Sequence, residues 1–428
     1  MPQLVDISQS PPYVLVSAHH CAPGMGSEHA VGWNIVSRLA RWRPVLLITQ
    51  DNEFRPDIER SVATLRAEGC SIEAHFVLHG SRADGRRNEL RVGYYLTYVA
   101  YQWRVYQLAR QLMQTHRIVA VHHLTIVGFR EPGFLWKLGL PFVWGPVGGL
   151  VYTPRALYPQ FTAKVQVFVA LRSIMTALQF ALSPRVRSAY RATQRPGGAF
   201  IAATPDIGSR FERRFGGRWT WTPETGAQLA EIPASPRPAP TAGQPLRLLW
   251  LGGLIDRKPM GLLLEAMAAL PDHQRRIELT VVGDGESRQR YEARARELGV
   301  RASFKGWMSH ADAQRCYATA DVFVLLSAMD LTTNVVFESL SQGLPVMCLD
   351  HHGYSYIVDD TCGFKIPVRS AQQIREDITR LLASLSSDRA RLAPMRDAAV
   401  ARARQFTWDA NTARINALLP KGTTMDSR

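Results

Sequence analysis

The stretch LRLLWLGGLIDRK, residues 246–258, decides the fold. Six mostly apolar residues run into two glycines and two adjacent cations, and apolar residues at helical spacing follow over residues 262–269. A short apolar run that ends in glycines before a helix is typical of a buried parallel strand in a doubly wound α/β sheet. Further strands are predicted in this half of the chain at residues 277–282, 303–305, 322–326 and 345–349.

The same alternation of strands and helices occurs in the N-terminal half of the chain. An apolar strand at residues 13–17 precedes a glycine-containing loop, a helix over residues 29–41 and a strand at residues 44–49. More strands are predicted at residues 74–78, 118–122 and 141–144. A segment with five prolines, residues 231–245, separates the halves and cannot continue a helix or a central strand.

The fold class predicted from this pattern is α/β, with two Rossmann-like doubly wound domains that face each other across a cleft. The first domain is placed at residues 1–235 and the second at residues 246–405. Ligands of such sheets bind outside the carboxyl ends of the strands. Ligand-binding and catalytic residues are therefore expected in the loops that follow the predicted strands.

The chain of 428 residues carries a formal net charge of +15, and this charge is unevenly distributed. Residues 1–240 contain 27 basic and 15 acidic side chains, whereas residues 241–428 contain 24 and 21. No carboxylate lies between Glu131 and Asp206, and eight cations do: Lys137, Arg155, Lys164, Arg172, Arg185, Arg187, Arg191 and Arg195. Such a field attracts nucleic acid, an anionic membrane or a phosphorylated substrate.

Cysteine usage and hydropathy indicate a cytoplasmic protein. The five cysteines are odd in number and have no CxxC spacing, which disfavours a disulfide scaffold or a zinc ribbon. The polar N-terminus, residues 1–10, has no signal-peptide pattern. The longest apolar stretch, between Lys164 and Arg185, is interrupted by Arg172, so no membrane span is expected. It fits either a helix lying on a membrane surface or helices that cover a domain.

Two loops of the second half have the composition of phosphate sites. Gly252 and Gly253 would let backbone approach a ligand closely, and Arg257 and Lys258 could neutralise phosphate. An ordinary turn with solvated charges is the alternative. The stretch TVVGDGE, residues 280–286, is a second strand with a Gly-Asp-Gly turn before a helix.

A sharper pattern is SAMDLTTNVVFESLSQGLP, residues 327–345. Asp330 follows a buried strand, Asn334 is a good helix N-cap, and Glu338 lies about one turn into the helix. Backbone N–H groups at this helix start would face an anion; they belong to Thr332, Thr333 and Asn334. The two carboxylates would bracket that anion and bind sugar hydroxyls, unless they are only surface capping charges.

These residues resemble the retaining GT-B glycosyltransferases of family four, most strongly over residues 246–368. That family has two acids separated by seven residues before a Gly-x-Pro-Val strand, matched here by Asp330, Glu338 and residues 343–346. The family usually has Glu at the first acid, where this chain has Asp330. It also has a Gly-Arg pair where this chain has Gly252 and Gly253. The Asp and the Asn-Val-Val that follows are similar to a bacterial polysaccharide-biosynthesis subgroup.

The resemblance implies roles for individual residues. Glu338 would hold the nucleotide ribose and Asp330 the donor sugar, and Lys258 matches the family lysine. Asp330 and Lys258 are accordingly candidate catalytic residues. The remaining implied donor-binding residues are Gly24, Gly26, Gly252, Gly253, Arg257, Gly283, Asp284, Trp307, Thr332, Thr333 and Asn334.

The resemblance extends to the first domain. Its glycine-rich loop corresponds to residues 23–28, and the family's active-site histidine falls on either His122 or His123, for which a packed structural histidine is the alternative. The implied acceptor-side residues are Ser27, Glu28, Gly148 and Gly149. Residues 406–428 look like the C-terminal segment that packs back on the first domain.

The predicted function is transfer of a hexose from a nucleotide-diphosphate sugar to a saccharide or lipid-linked saccharide, with retention of anomeric configuration. Bacterial exopolysaccharide or surface-glycan assembly is the expected setting, on the inner face of the cytoplasmic membrane. No metal-ligand cluster is visible, and neither a metal nor another cofactor is predicted; Asp359 and Asp360 are interpreted as solvated surface. The alternatives are a GT-B-type nucleotide-sugar epimerase and, more remotely, a nucleic-acid-binding protein.

Overall fold

The computed structural model describes residues 10–80, 91–232, 244–274 and 276–421. Within these ranges, the side chains of Ser27, residues 91–95 and His273 are not described. Most of the predicted proline-rich linker, residues 233–243, lies outside the described residues. The chain forms two compact units. The first contains residues 1–150, 178–225 and 408–428, and the second contains residues 151–177 and 226–407.

The first unit contains a seven-stranded parallel sheet in the order β3-β2-β1-β4-β5-β6-β7. Its strands are β1 (Tyr13–Ala18), β2 (Val45–Asp51), β3 (Ile72–Leu78), β4 (Ile118–Thr125), β5 (Phe142–Val147), β6 (Ala199–Ala202) and β7 (Thr220–Trp221). The first five were predicted within about three residues at each end. The last two were missed, because strands of four and two residues are too short to show a period.

Helices cover the first sheet. They are α1 (Ser27–Leu39), α2 (Arg55–Ala67), α3 (Arg91–Leu112), α5 (Pro184–Thr193), α6 (Pro205–Phe215) and α14 (Trp408–Leu418). The C-terminal helix packs in the same core as the first strand and helix, where Trp408 and Ile415 join Val14 and Ile35. The end of the chain is therefore part of the first unit.

The second unit repeats the strand order in a six-stranded parallel sheet, β10-β9-β8-β11-β12-β13. The strands are β8 (Leu246–Leu251), β9 (Ile277–Val282), β10 (Ala302–Gly306), β11 (Val322–Leu325), β12 (Val346–Leu349) and β13 (Gly363–Ile366). Its helices are α7 (Met260–Ala268), α8 (Arg288–Glu297), α9 (His310–Thr319), α10 (Asn334–Ser341), α11 (Tyr354–Ile357), α12 (Ala371–Ser387) and α13 (Leu392–Gln405). The α/β class and the doubly wound sheets are as predicted.

The boundary between the units differs from the predicted one. Residues 151–177 and 226–235 were placed in the first domain, but they group with the second unit. The physical reason is apolar burial, since Leu157 and Phe161 lie in the same hydrophobic core as Leu248. Proximity along the chain did not predict the unit to which these residues belong, because their side chains are buried against a sheet that begins almost ninety residues later.

The remaining long helix, α4 (Ala163–Leu182), has its first fifteen residues in the second unit and its last five in the first. Within the described part of the chain, it alone is long and apolar enough to cross a membrane, judged by length and composition. Only 11% of its most apolar window is buried. The sequence had predicted no span here.

Candidate functional site

Two glycine loops form the base of a site at the carboxyl ends of β8 and β9. The Gly252 N–H donates to the Val282 carbonyl over 2.9 Å, and the Gly283 N–H donates to the Gly306 carbonyl over 2.8 Å. Gly283 has φ +132°, and a Cβ there would lie 2.2 Å from the Gly252 oxygen. Only glycine fits at this position, so bare backbone lines this part of the sheet edge.

Asp330 lies against the two adjacent cations that follow the first loop. Its Oδ1 contacts an Arg257 guanidinium nitrogen, and its Oδ2 lies 3.4 Å from Lys258 Nζ. The Ala328 N–H donates to the Arg257 carbonyl over 2.9 Å, which ties the two loops together. The sequence had predicted each of these residues separately. The structure brings them together in one ion-paired group.

Lys258 is a largely buried cation beside bare backbone. Its side chain is 10% exposed, and Nζ lies 3.0 Å from the place where a Cβ of Gly252 would be. Burial, and then the positive charge of Arg257, lower the pKa of Lys258 to about 8. The ammonium therefore remains the main form at neutral pH, and an anion that replaced the Asp330 carboxylate would stabilise it further.

The start of α10 faces the same edge of the sheet, because it follows β11. Its N-cap is Thr333, in extended backbone, rather than the predicted Asn334, and neither side chain forms a capping hydrogen bond. Thr333 Oγ1 and Asn334 Oδ1 are buried without a hydrogen-bond partner among the described residues. Buried polar atoms of this kind are normally satisfied by water or a ligand. Thr332, which precedes them, is buried.

Glu338, one turn into α10, is held by a tyrosine that the sequence analysis missed. The Tyr317 hydroxyl donates to Glu338 Oε2 over 2.9 Å. Burial raises the pKa of the Glu338 carboxyl, and the hydrogen bond from Tyr317 opposes that shift. This half-buried carboxyl is not a solvated capping charge. No sequence signal identified Tyr317, an aromatic residue within an ordinary amphipathic helix.

The remaining predicted residues of the second unit lie in loops at the same edge. Asp284 forms an ion pair with Arg288 at 3.0 Å, and the Gly285 N–H, followed by Arg288, lowers the pKa of this carboxyl. Trp307, just after β10, is 79% exposed. At Gly253, a Cβ would have its nearest neighbour at 3.8 Å, so a side chain would fit there.

In the first unit, both candidate histidines are fully buried. His122 Nε2 lies 2.7 Å from the Gly145 carbonyl and donates to it, whereas His123 lies near Gly133. Burial lowers the pKa of both side chains to about 4, and the His122 charge contributes for His123. Both imidazoles are therefore neutral at neutral pH.

The sequence analysis missed a histidine cluster at the carboxyl end of β1. His19 Nε2 and His79 Nδ1 are 2.8 Å apart, and the His19 ring meets Tyr98 and Tyr101 edge-on. Burial, and then the neighbouring His20, lower the pKa of His19 to about 2. The signal was available, since two histidines follow the first strand directly, as functional residues often do in this kind of sheet.

The predicted glycine-rich loop leads into α1 beside this cluster. Gly24 has φ +71° with open space around it, and Gly26 caps α1. Glu28 Oε2 accepts a hydrogen bond from His20 Nδ1 over 2.7 Å. Ser27 begins the helix, and its side chain is outside the described set.

The two glycines after β5 are part of a tight loop pair. The Phe129 N–H donates to the Gly148 carbonyl over 3.1 Å. Gly149 has φ +77°, and a Cβ there would lie 3.3 Å from the Cα of Gly128. The predicted acceptor-side residues thus belong to the packed carboxyl edge of the first sheet.

No group of three or more His, Cys, Asp or Glu side chains with metal-binding geometry occurs in the described ranges. In the histidine cluster around His19, the His19 and His79 nitrogen atoms meet at 2.8 Å, and no third ligand of this kind joins them among the described residues. The absence of a metal requirement stays a prediction.

Comparison with protein families gives a match within the second unit. Residues 245–384 match the family described as Glycosyl transferases group 1. This region contains Gly252, Lys258, Asp330 and Glu338, so the match coincides with the ion-paired group and the glycine loops.

Curated relatives match parts of the chain. Over 146 residues it is 34% identical to the lipopolysaccharide core biosynthesis glycosyltransferase LpsE of Rhizobium meliloti, covering 33% of this chain and 41% of that protein. Over 134 residues it is 30% identical to the lipopolysaccharide glucosyltransferase WaaG of Escherichia coli, covering 31% and 36%. The alignments thus span about two fifths or less of these relatives.

Solved structures match almost the whole chain. The crystal structure of WaaG, a glycosyltransferase involved in lipopolysaccharide biosynthesis, superimposes with a TM-score of 0.58 at 18% identity, covering 96% of this chain and all of that one. HepE of Anabaena in complex with UDP gives 0.57 at 16% identity, covering 95% and 98%. The fold is the GT-B fold of glycosyltransferases.

Proposed function

We propose that the protein transfers a sugar from a nucleotide-diphosphate donor to a saccharide or lipid-linked saccharide, with retention of anomeric configuration. The observation that carries this proposal is the group formed by Arg257, Lys258 and Asp330 beside the bare backbone of Gly252. Two cations held by one carboxylate next to a helix N-terminus suit a diphosphate. The family match over the same residues supports the same chemistry.

In the proposed reaction, the donor diphosphate takes the place of Asp330 on the two cations. The bond between the sugar anomeric carbon and the diphosphate oxygen breaks, and the acceptor hydroxyl forms the new glycosidic bond from the same face. The hydroxyl proton passes to the departing diphosphate oxygen. Lys258, Arg257 and the N–H groups at the start of α10 stabilise the charge that develops on the leaving group.

The two carboxylates then bind different polar groups of the donor. Asp330, released from the cations, accepts hydrogen bonds from the donor sugar, and Glu338, fixed by Tyr317, accepts them from the nucleotide ribose. The exposed ring of Trp307 is the proposed stacking surface for the base.

The first unit supplies the acceptor side in this proposal. Its candidate groups are the neutral imidazoles of His122 and His123, glycine backbone and the carboxylate of Glu28, which can hydrogen-bond to a hydroxyl acceptor. Since LpsE and WaaG are named for lipopolysaccharide synthesis, a bacterial surface glycan is the proposed product. Such acceptors are lipid-linked, so we place the enzyme at the cytoplasmic face of a membrane.

The test is turnover of nucleotide sugars by the wild-type protein and by Asp330→Ala and Asp330→Asn. Release of nucleoside diphosphate is measured for a panel of UDP- and GDP-sugars with a saccharide extract as acceptor. We expect both variants to lose about 100-fold or more in kcat/KM, because the amide cannot accept the same charge-assisted hydrogen bonds.

Asp360→Ala is the matched control, since Asp360 is exposed in the same unit and not in the proposed site. It should keep the wild-type rate. Wild-type turnover by Asp330→Ala would contradict the assignment. Release of an epimerised nucleotide sugar without acceptor would instead favour an epimerase.

A further inference from the structure

The exposed face of α4 is a surface feature that the proposed reaction does not use. Seven large apolar side chains on this helix are at least 44% exposed: Val167, Phe168, Leu171, Ile174, Met175, Leu178 and Leu182. At about 100° per residue they fall within an arc of about 120°, and they extend over roughly four turns. They form one continuous stripe, called here the α4 stripe.

The opposite face of α4 is packed against protein. Val169 and Thr176 are buried, and the guanidinium of Arg172 lies 3.8 Å from Met329 Sδ. Both buried residues are about half a turn around the helix from the centre of the stripe. A helix spanning a bilayer would have to give up this packing and bury Arg172 in lipid, so α4 lies along the protein with one apolar side facing outward.

Basic residues follow the stripe along the chain. Arg187 and Arg191 on α5 and Arg195 just after it are exposed at four-residue spacing, and none has an ion-pair partner among the described residues. Lys164 is exposed at the other end of α4. No carboxylate occurs anywhere from residue 132 to residue 205. The apolar stripe therefore belongs to a segment of uniformly positive charge.

We propose that the α4 stripe and the arginines of α5 dock the protein on an anionic lipid bilayer. An amphipathic helix lies in the interface with its apolar face among the acyl chains, and adjacent cations bind anionic headgroups. Charge complementarity decides between a bilayer and a second copy of the chain. A two-fold interface would place this carboxylate-free segment against itself, so that like charges would meet.

The proposal does not depend on the assigned reaction, because the stripe contains none of the donor-site residues. It adds a partner that the sheet edges do not reveal. The enzyme would be held at the surface that contains a lipid-linked acceptor, and transfer to such an acceptor would be faster on vesicles than with the same acceptor in detergent.

The test is co-sedimentation of the full chain with vesicles of phosphatidylcholine alone or with about 30% phosphatidylglycerol. We expect binding to the anionic vesicles that falls with added salt, and at least tenfold weaker binding to phosphatidylcholine alone. The double variant Leu171→Asp/Leu178→Asp should weaken anionic binding at least tenfold without unfolding, because both side chains are exposed. Leu229→Asp, at an exposed leucine outside the stripe, is its control.

The charge contribution is tested separately with Arg187→Glu/Arg191→Glu. The same reversal at two exposed arginines of the second unit, Arg301→Glu/Arg369→Glu, is the charge-matched control. We expect about tenfold weaker anionic binding for the first pair and less than threefold for the second.

Three results would overturn the proposal. One is equal binding to both kinds of vesicle, and another is anionic binding that the stripe variant leaves intact. The third is a dimer in light scattering that Leu171→Asp/Leu178→Asp dissociates, which would assign the stripe to a second copy. Asp330→Ala should bind vesicles like the wild type, so failure of the docking proposal is distinguishable from failure of the reaction.

Discussion

The two sheets share a strand order, yet their carboxyl edges carry opposite chemistry. At the edge of the second sheet, Lys258 and Asp330 form an ion pair beside glycine backbone. At the edge of the first sheet, His19 and His123 are buried and neutral, and the His19 ring lies against two tyrosines. The common topology fixes where loops converge, and the side chains in those loops decide whether the edge suits a charged or a neutral ligand.

Net charge follows a different distribution from these sites. Most of the excess positive charge of the chain belongs to residues of the first unit, but the described site residues of that unit are mostly neutral. The second unit, with 25 basic and 20 acidic side chains, has a smaller excess and places two cations at one point. A donor diphosphate needs placed charges at short range, whereas a surface partner responds to the summed field of many exposed residues.

Among substitutions that test the difference between the two sheet edges, Lys258→Met is expected to have the largest effect on activity. Removing the buried ammonium should reduce kcat/KM for the donor by about 100-fold or more, since leaving-group charge loses its closest partner. Lys365→Met, in the same unit but away from the ion-paired group, serves as the control. Steady-state kinetics at varied donor concentration measures both. A loss of less than tenfold in kcat/KM for Lys258→Met would contradict the proposal that the second unit binds the diphosphate through this cation.

The pH dependence of donor binding should come from the second unit. The pKa of Lys258 is lowered to about 8, so its ammonium is lost as the pH rises through that value. Donor affinity should fall about tenfold between pH 7 and pH 9. The buried histidines His122 and His123 should add nothing in this range, because their pKa values are near 4.

Lys258→Arg is the control for this titration, because a guanidinium stays charged throughout. Its donor affinity should be independent of pH from 7 to 9, measured by calorimetry in buffers of equal ionic strength. A pH dependence that persists in Lys258→Arg would assign the titrating group to another residue.

Gly253→Arg is expected to have a smaller effect, a gain in donor affinity. The site has room for a side chain, and an arginine there would restore the Gly-Arg pair of similar glycosyltransferases. Donor affinity should rise about three- to tenfold through the added charge. Gly252→Ala should do the opposite, because a φ of +143° strains an L residue and its Cβ would lie 3.0 Å from Lys258 Nζ and displace it. Unchanged affinity in Gly253→Arg would show that Arg257 already fills that role.

Much of the fold could be predicted from the sequence, because strands such as β8 and β9 are apolar runs closed by glycine. Their observed bounds match the predicted ones. Strands β7 and β13 were missed since they are short and half-buried. The association of residues 151–177 with the second unit depends on tertiary packing of Leu157, which no local pattern contains.

The sequence could predict those site residues that lie in the loop after a single strand. Asp330, Lys258 and Gly283 each stand at the end of an apolar strand, where a sequence pattern can point to them. The Tyr317 partner of Glu338 is a buried side chain of α9, and its contact is visible only in three dimensions. The same holds for the His19–His79 contact, which joins residues 60 positions apart.

The most direct test of the central claim is calorimetric titration of UDP and GDP into the wild-type protein, Arg257→Met/Lys258→Met and His20→Ala. At least one nucleotide should bind the wild type at pH 7. Its affinity should fall at least about 30-fold in the double variant, because both diphosphate-binding cations are lost. It should be unchanged in His20→Ala, at the edge of the first sheet. Equal affinity in the double variant and the wild type would contradict the account.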